Sequence, residues 1–298
     1  MTKTAAHGLM LLAAFVWGTT FIAQTTGMET IGPMTFTAIR YLIGALTVLP
    51  LAIFEARRVS LWAHMKADRR FALQTIGLGF LMFGGIGLQQ TALQYTDVAN
   101  AAFLTALYVP AVPLIMWLFM RNRIDSRIWI ALVMSLAGSW FLSGNAEILQ
   151  QWGDFLVATG ALFWAGHIIV IGIVMHKLNA PFQIAVLQSA ICVILGAVPM
   201  FAIEQPEFAD LLPVAPELFY AGCLSVGLAY TLQLMAQAHA STVLAAFILS
   251  LESVFAALAG WLILDQYLSY AGLLGCTLIF AAVLMADVIP ESWYKKRR

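Results

Sequence analysis

Leu11-Leu12-Ala13-Ala14-Phe15-Val16-Trp17-Gly18 is echoed later in the chain by Ala158-Thr159-Gly160-Ala161-Leu162-Phe163-Trp164-Ala165, an offset of 147. More correspondences follow in order. Pro33 and Pro181 each open an apolar stretch, and Ala101-Ala102-Phe103-Leu104 matches Ala245-Ala246-Phe247-Ile248 at an offset of 144. In that second frame Gln89 falls on Gln233 and Trp117 on Trp261. One such match in apolar sequence is weak; four in order predict two similar halves.

The composition says what the halves are made of. Of 298 residues, 62% are hydrophobic and 10% charged, with a mean hydropathy of +0.88. A soluble domain is nearer 45–50% apolar and about 25% charged, so this is an integral membrane protein. A bilayer core of about 30 Å takes roughly 17–25 apolar residues per helix. That ruler gives ten spans, near 5–24, 32–54, 71–93, 98–120, 127–144, 153–175, 181–203, 214–236, 241–264 and 267–288. The runs lack the alternation of barrel strands. The first span is read as a retained helix rather than a signal peptide, because no convincing small-x-small cleavage site follows it.

Five spans per half is an odd number, so the second half enters the membrane from the opposite side. The expected fold is all-α, with ten transmembrane helices in two inverted five-helix repeats over 1–146 and 147–298. Loop charges set the orientation, since Lys and Arg accumulate on the cytoplasmic side. With ten spans, fourteen of the fifteen basic residues share the face of both termini, five of them between Arg57 and Arg70. The opposite loops carry Glu29, Asp97, Glu147, Asp154, Glu204, Glu207, Asp210, Glu217 and Asp265. The expectation is a multi-pass bacterial inner-membrane protein with both termini cytoplasmic.

Inverted repeats belong to secondary transporters that rock two halves around a midplane site. At about 1.5 Å per residue, Trp17 and Trp164 lie near the midplane, away from the interfaces that tryptophan normally populates. Tyr108 and Glu252 sit at aligned depths in spans four and nine. A carboxylate at that depth costs about 2.5–3.5 kcal/mol, so Glu252 must face a cavity or a partner. It suits proton coupling or a substrate amine, against the plainer reading of a Glu bonded to a neighbouring helix. Arg40, roughly 10 Å inside span two, is a candidate for a substrate carboxylate or for snorkelling outward. His167 lies one turn from Trp164, and Gln89 and Gln233 could bond a zwitterion or each other. Pro110 and Pro113 predict a kink in span four.

Other functions are poorly served. There is no basic patch for nucleic acid. Cys192, Cys223 and Cys276 are scattered through apolar runs and make no disulfide framework. No nucleophile triad, metal-ligand spacing or phosphate loop is present, so no cofactor is expected. A lipid-acting enzyme would need convergent catalytic groups at one depth, and a scaffold or receptor has no use for inverted symmetry.

Four stretches carry a family resemblance: Ala13 to Gly18, Arg40-Tyr41-Leu42, Leu107 to Val112, and Leu249 to Ala257. Through them the chain resembles the EamA family of the drug/metabolite transporter superfamily, over essentially its whole length. The resemblance implies an exporter of amino acids or other metabolites with an aromatic-lined central cavity. Many relatives have proline where Ser253 stands, and a glutamate where Arg121 and Asp265 stand. The expected partners are therefore a small-molecule substrate, the lipid bilayer and protons, with hydrophobic or aromatic amino acids as the leading substrate. Lipophilic cations are the alternative, through cation–π attraction.

Overall fold

The computed structural model describes residues 1–96, 98–121, 124–143, 152–263 and 268–287. All regular structure among the described residues is helical. Nine stretches among the described residues are long and apolar enough to cross a bilayer, and Ser126–Leu142 is a shorter apolar helix of 17 residues. Together they are the ten expected spans. The expected half boundary at 146/147, the loop acids Asp97, Glu147 and Asp265, and the basic residues Arg123, Lys295, Lys296, Arg297 and Arg298 lie outside the described residues.

The first two helices are α1 (Lys3–Gly27) and α2 (Pro33–Ala56). Pro33 opens α2 because its missing N–H costs nothing at a helix start. A short helix unforeseen in the sequence, α3 (Leu61–Ala67), lies in the loop before α4 (Arg69–Ala92). Asp68 caps α4: the Phe71 amide donates to its carboxylate at 3.0 Å. That hydrogen bond, with Lys177 nearby at 3.3 Å, holds the Asp68 carboxyl below its ordinary range.

Span four is two helices, α5 (Val98–Thr105) and α6 (Tyr108–Met120), followed by α7 (Ser126–Leu142). Then come α8 (Trp152–Lys177) and α9 (Pro181–Pro199), which ends in a π-helical turn, Met200–Glu204. After a single turn, α10 (Phe208–Leu211), span eight runs from α11 (Ala215–Phe219) through a π-helical stretch, Tyr220–Ala229, into α12 (Tyr230–Gln237). Span nine is also broken, into α13 (Thr242–Leu249) and α14 (Leu251–Ile263), and α15 (Tyr270–Asp287) is the tenth.

The packing obeys the repeat. The span-two helix α2 lies along its counterpart α9, and α7 along its counterpart α15. Contact of α4 with α8 (spans three and six) is mirrored by contact of span eight with α1. Contact of α1 with α14 (spans one and nine) is mirrored by α8 with α5 and α6. Exchanging the halves thus maps the pairings onto themselves, as an inverted repeat requires. The surface is apolar, with Leu46, Leu118, Val133, Phe201 and Leu262 all exposed. The interior instead holds Arg40, Gln90, His167, Gln188 and Gln237. A water-soluble protein places these classes the other way round; lipid accounts for the reversal.

Candidate functional site

A cavity lies at the junction of the halves, about 550 Å³ including its open mouth. Most of its wall comes in repeat-related pairs. Trp17 and Trp164, and Phe21 and Ile168, are related by the 147 offset. Ile86 and Tyr230, Gln89 and Gln233, Thr105 and Leu249, and Tyr108 and Glu252 are related by the 144 offset. The cavity therefore sits on the pseudo-two-fold relation between the repeats. Gln24, Arg40 and Ser225 complete the wall without a counterpart in it.

Equivalent positions carry different chemistry, so the lining is asymmetric. Tyr230, which the sequence reading missed, is the centre of the aromatic group. Its ring centroid lies 4.8 Å from Trp17 and 6.3 Å from Trp164, stacked against the latter with 15° between the planes. Tyr41 stands behind it, and its hydroxyl donates to the Tyr230 hydroxyl at 3.3 Å. The signal for Tyr230 was its place one turn before Gln233, but its repeat partner is the unremarkable Ile86.

Both indoles are held by the opposite half. Trp17 Nε1 donates to the Ser225 carbonyl at 3.3 Å, within the π-helical stretch of span eight. Trp164 Nε1 donates to Gln89 Oε1 at 3.2 Å, in span three. Close backbone approach makes room for them. A Cβ at Gly85 would lie 2.7 Å from the Trp164 ring; one at Gly18 would instead lie 2.6 Å from the Glu252 carbonyl, where α1 packs against α14.

Seven of the eight expected residues line the cavity: Trp17, Trp164, Tyr108, Glu252, Arg40, Gln89 and Gln233. His167 does not. It is fully buried behind the wall, its ring 5.9 Å from Trp164 and 6.3 Å from Tyr230, with Nε2 bonded to Gln188 Oε1 at 3.1 Å. Gln89 and Gln233 do not bond each other; Gln89 holds Trp164, and Gln233 donates to Gln237 Oε1 at 2.9 Å. Arg40 turns inward rather than snorkelling. It is 2% exposed, donates to Gln90 Oε1 at 3.4 Å, and lies 5.4 Å from the ring centroids of both Phe36 and Tyr41.

Glu252 occupies the first turn of α14, just after the break in span nine, and Tyr108 opens α6 after the break in span four. Breaks within a membrane helix are tolerated where the freed backbone groups meet protein or a cavity. Pro110 is in the first turn of α6, so its missing donor costs little there. Span nine has no proline; instead Ser250 Oγ donates to the Phe247 carbonyl and Ser253 Oγ to the Ser250 carbonyl, at 2.7 and 2.8 Å. The Tyr108 hydroxyl faces Glu252, and four other buried polar atoms of the lining have no hydrogen-bond partner: Gln24 Oε1, Arg40 Nε, Thr105 Oγ1 and Gln233 Oε1. Buried polar atoms are nearly always bonded, and their convergence on one cavity marks it as a place for a polar ligand or water.

Such a cavity, between inverted repeats and flanked by interrupted helices, is the architecture of a membrane transporter. The chain belongs to the EamA-like transporter family, whose model matches it twice, over residues 4–144 and 151–286. A protein of Archaeoglobus fulgidus described as an uncharacterized transporter is 29% identical over 94% of this chain and 84% of its own. YoaV of Bacillus subtilis, also described as an uncharacterized transporter, is 23% identical over 93% and 94%. YedA of Escherichia coli, described as an uncharacterized inner membrane transporter, is 23% identical over 53% of this chain and 50% of its own. One crystal structure shares the fold with a TM-score of 0.79 at 18% identity, covering 99% of this chain and all of the other.

Proposed function

We propose that this transporter exports hydrophobic or aromatic amino acids, or closely related metabolites, by alternating access across the bacterial inner membrane with both termini in the cytoplasm. The observation that carries the reading is the mixed lining of the central cavity. The rings of Trp17, Tyr230 and Trp164 supply stacking surface, and aromatic pairs contribute about 0.5–1.5 kcal/mol beyond area burial. Glu252 offers a counter-charge to an α-amine. Arg40 offers donors to a carboxylate, and the unpartnered amide oxygens of Gln24 and Gln233 offer acceptors to the α-amine. With no nucleotide-binding motif in the chain, a gradient of substrate or protons drives the cycle, and Glu252 is the carboxylate for proton coupling.

A second reading, efflux of lipophilic cations, is favoured by Glu252 sharing a wall with three aromatic rings, a cation trap; the buried guanidinium of Arg40 in the same cavity counts against it. Uptake into proteoliposomes decides between them. Aromatic amino acids should move and compete with one another, and quaternary ammonium dyes should not; the opposite result replaces the first reading by the second. Glu252→Gln should lower transport at least tenfold and flatten its pH dependence. Unchanged transport and pH profile in that variant remove the coupling role.

A further inference from the structure

The two span helices α2 and α9 each begin with proline and lack a capping side chain of their own: the N-cap residues are Gly32 and Ala180. In both cases a glutamate from the far end of the other helix supplies the cap. Glu204, at the end of span seven, accepts from the Met34 and Thr35 amides at 2.8 and 2.6 Å and from Thr35 Oγ1 at 2.5 Å. Glu55, at the end of α2, accepts from the Gln183 amide at 2.9 Å and from Gln183 Nε2 at 3.3 Å. Thr35 and Gln183 are equivalent in the repeat, both two residues after the opening proline. The arrangement is reciprocal: one carboxylate on each membrane face, and each joins one half of the protein to the other.

Gly32 is part of the device. A Cβ there would fall inside the Glu204 carboxyl group, so the capping carboxylate occupies the space of the side chain that Gly32 lacks. On the other face Gln183 also accepts from the Leu61 amide at 3.1 Å and donates to the Val59 carbonyl at 2.8 Å, which ties the loop after α2 into the same contact. A carboxylate on a helix N-terminus is a charge-assisted contact favoured by the helix dipole. Its geometry is demanding, so it is made or lost as a unit.

Rocking one repeat against the other must part the halves on one face at a time, and these contacts bridge the halves at opposite faces. We propose that Glu204 and Glu55 are two face-specific latches, positioning residues that hold α2 against α9 at either end and set the balance between the two open states. Both contacts are made together in this structure, whose cavity keeps an open mouth, so neither seals the cavity alone. Glu204 opposes further parting of the halves at the face opposite the N-terminus, and Glu55 at the N-terminal face. Because Glu204 accepts more bonds and shorter ones, its latch is the stronger.

The test reads the direction of opening. In a background with the three native cysteines replaced, Leu249→Cys places a thiol in the cavity wall. Its rate of labelling by a membrane-impermeant maleimide is measured from each face, in right-side-out and inside-out vesicles. Glu204→Gln should raise labelling from the Glu204 face about threefold or more and lower it from the other. Glu55→Gln should do the reverse, by a smaller factor. Gly32→Ala, which displaces the carboxylate without altering it, should reproduce the sign of Glu204→Gln and stands in for it if that variant does not fold. Shifts of the same sign in both glutamate variants, or no shift in either, overturn the proposal.

Discussion

His167 shows how one residue can be near the chemistry without belonging to it. One turn from Trp164, it shares a helix face with the cavity wall in sequence terms, yet its ring is packed behind Trp164 and Tyr230 and bonded to Gln188. Gln188 is itself fully buried. Replacing His167 by leucine removes the one bond of the Gln188 carbonyl oxygen and leaves a buried acceptor unpaired, at a cost of about 1–3 kcal/mol. The expected outcome is a lower Tm in detergent with a substrate KM within about twofold of the parent. A large rise in KM with unchanged Tm would instead put His167 in contact with substrate. Tyr230 is the converse case. Ile86, Tyr108 and Glu252 already show that repeat partners differ in kind, so symmetry could point to position 230 but not to its weight. That weight comes from span eight's path past Trp17, which no local pattern encodes.

At the scale of elements, the spans were legible and their interruptions were not. Apolar length locates a helix because the bilayer sets that length, and the described helices begin and end within a few residues of expectation. The breaks depend on tertiary partners. Pro110 and Pro113 pointed to a kink in span four, but the chain breaks at Ala106–Leu107, just ahead of them, and span nine breaks at Ser250 with no proline at all. Hydroxyls do there what a missing N–H does in span four. Pro110 is the third residue of α6 and Ser253 the third of α14, so proline at 253 falls in a first turn and gives up only the amide and hydroxyl bonds of Ser253 to the Ser250 carbonyl, at 3.2 and 2.8 Å. Ser253→Pro is expected to cost no more than about 1 kcal/mol, whereas Ala257→Pro, one turn deeper in α14, should cost about 3 kcal/mol or more. Thermal unfolding of the two variants side by side checks this. Equal losses would mean that α14 does not begin where its first turn is placed.

For the molecule as a whole, the absence of net charge is the sum of two unlike faces. The loop between the second and third spans holds Arg57, Arg58, Lys66, Arg69 and Arg70, while the segment from Glu204 to Glu217 holds four acids and no base. Positive loops resist translocation and acidic ones contribute little, so the first segment should be cytoplasmic and the second exposed on the far side. Both contain exposed apolar residues suited to a probe: Trp62, 64% exposed in α3, and Phe208, 76% exposed in α10. In a cysteine-free background, Phe208→Cys should react with an impermeant maleimide in intact cells, and Trp62→Cys only after permeabilisation. The same experiment fixes which latch faces the cytoplasm: with this orientation it is Glu55, so Glu55→Gln favours the inward-open state and Glu204→Gln the outward-open one. Were the labelling reversed, the two latches would exchange those assignments while their opposition remained, because it follows from the inverted repeat and not from the sidedness of the membrane.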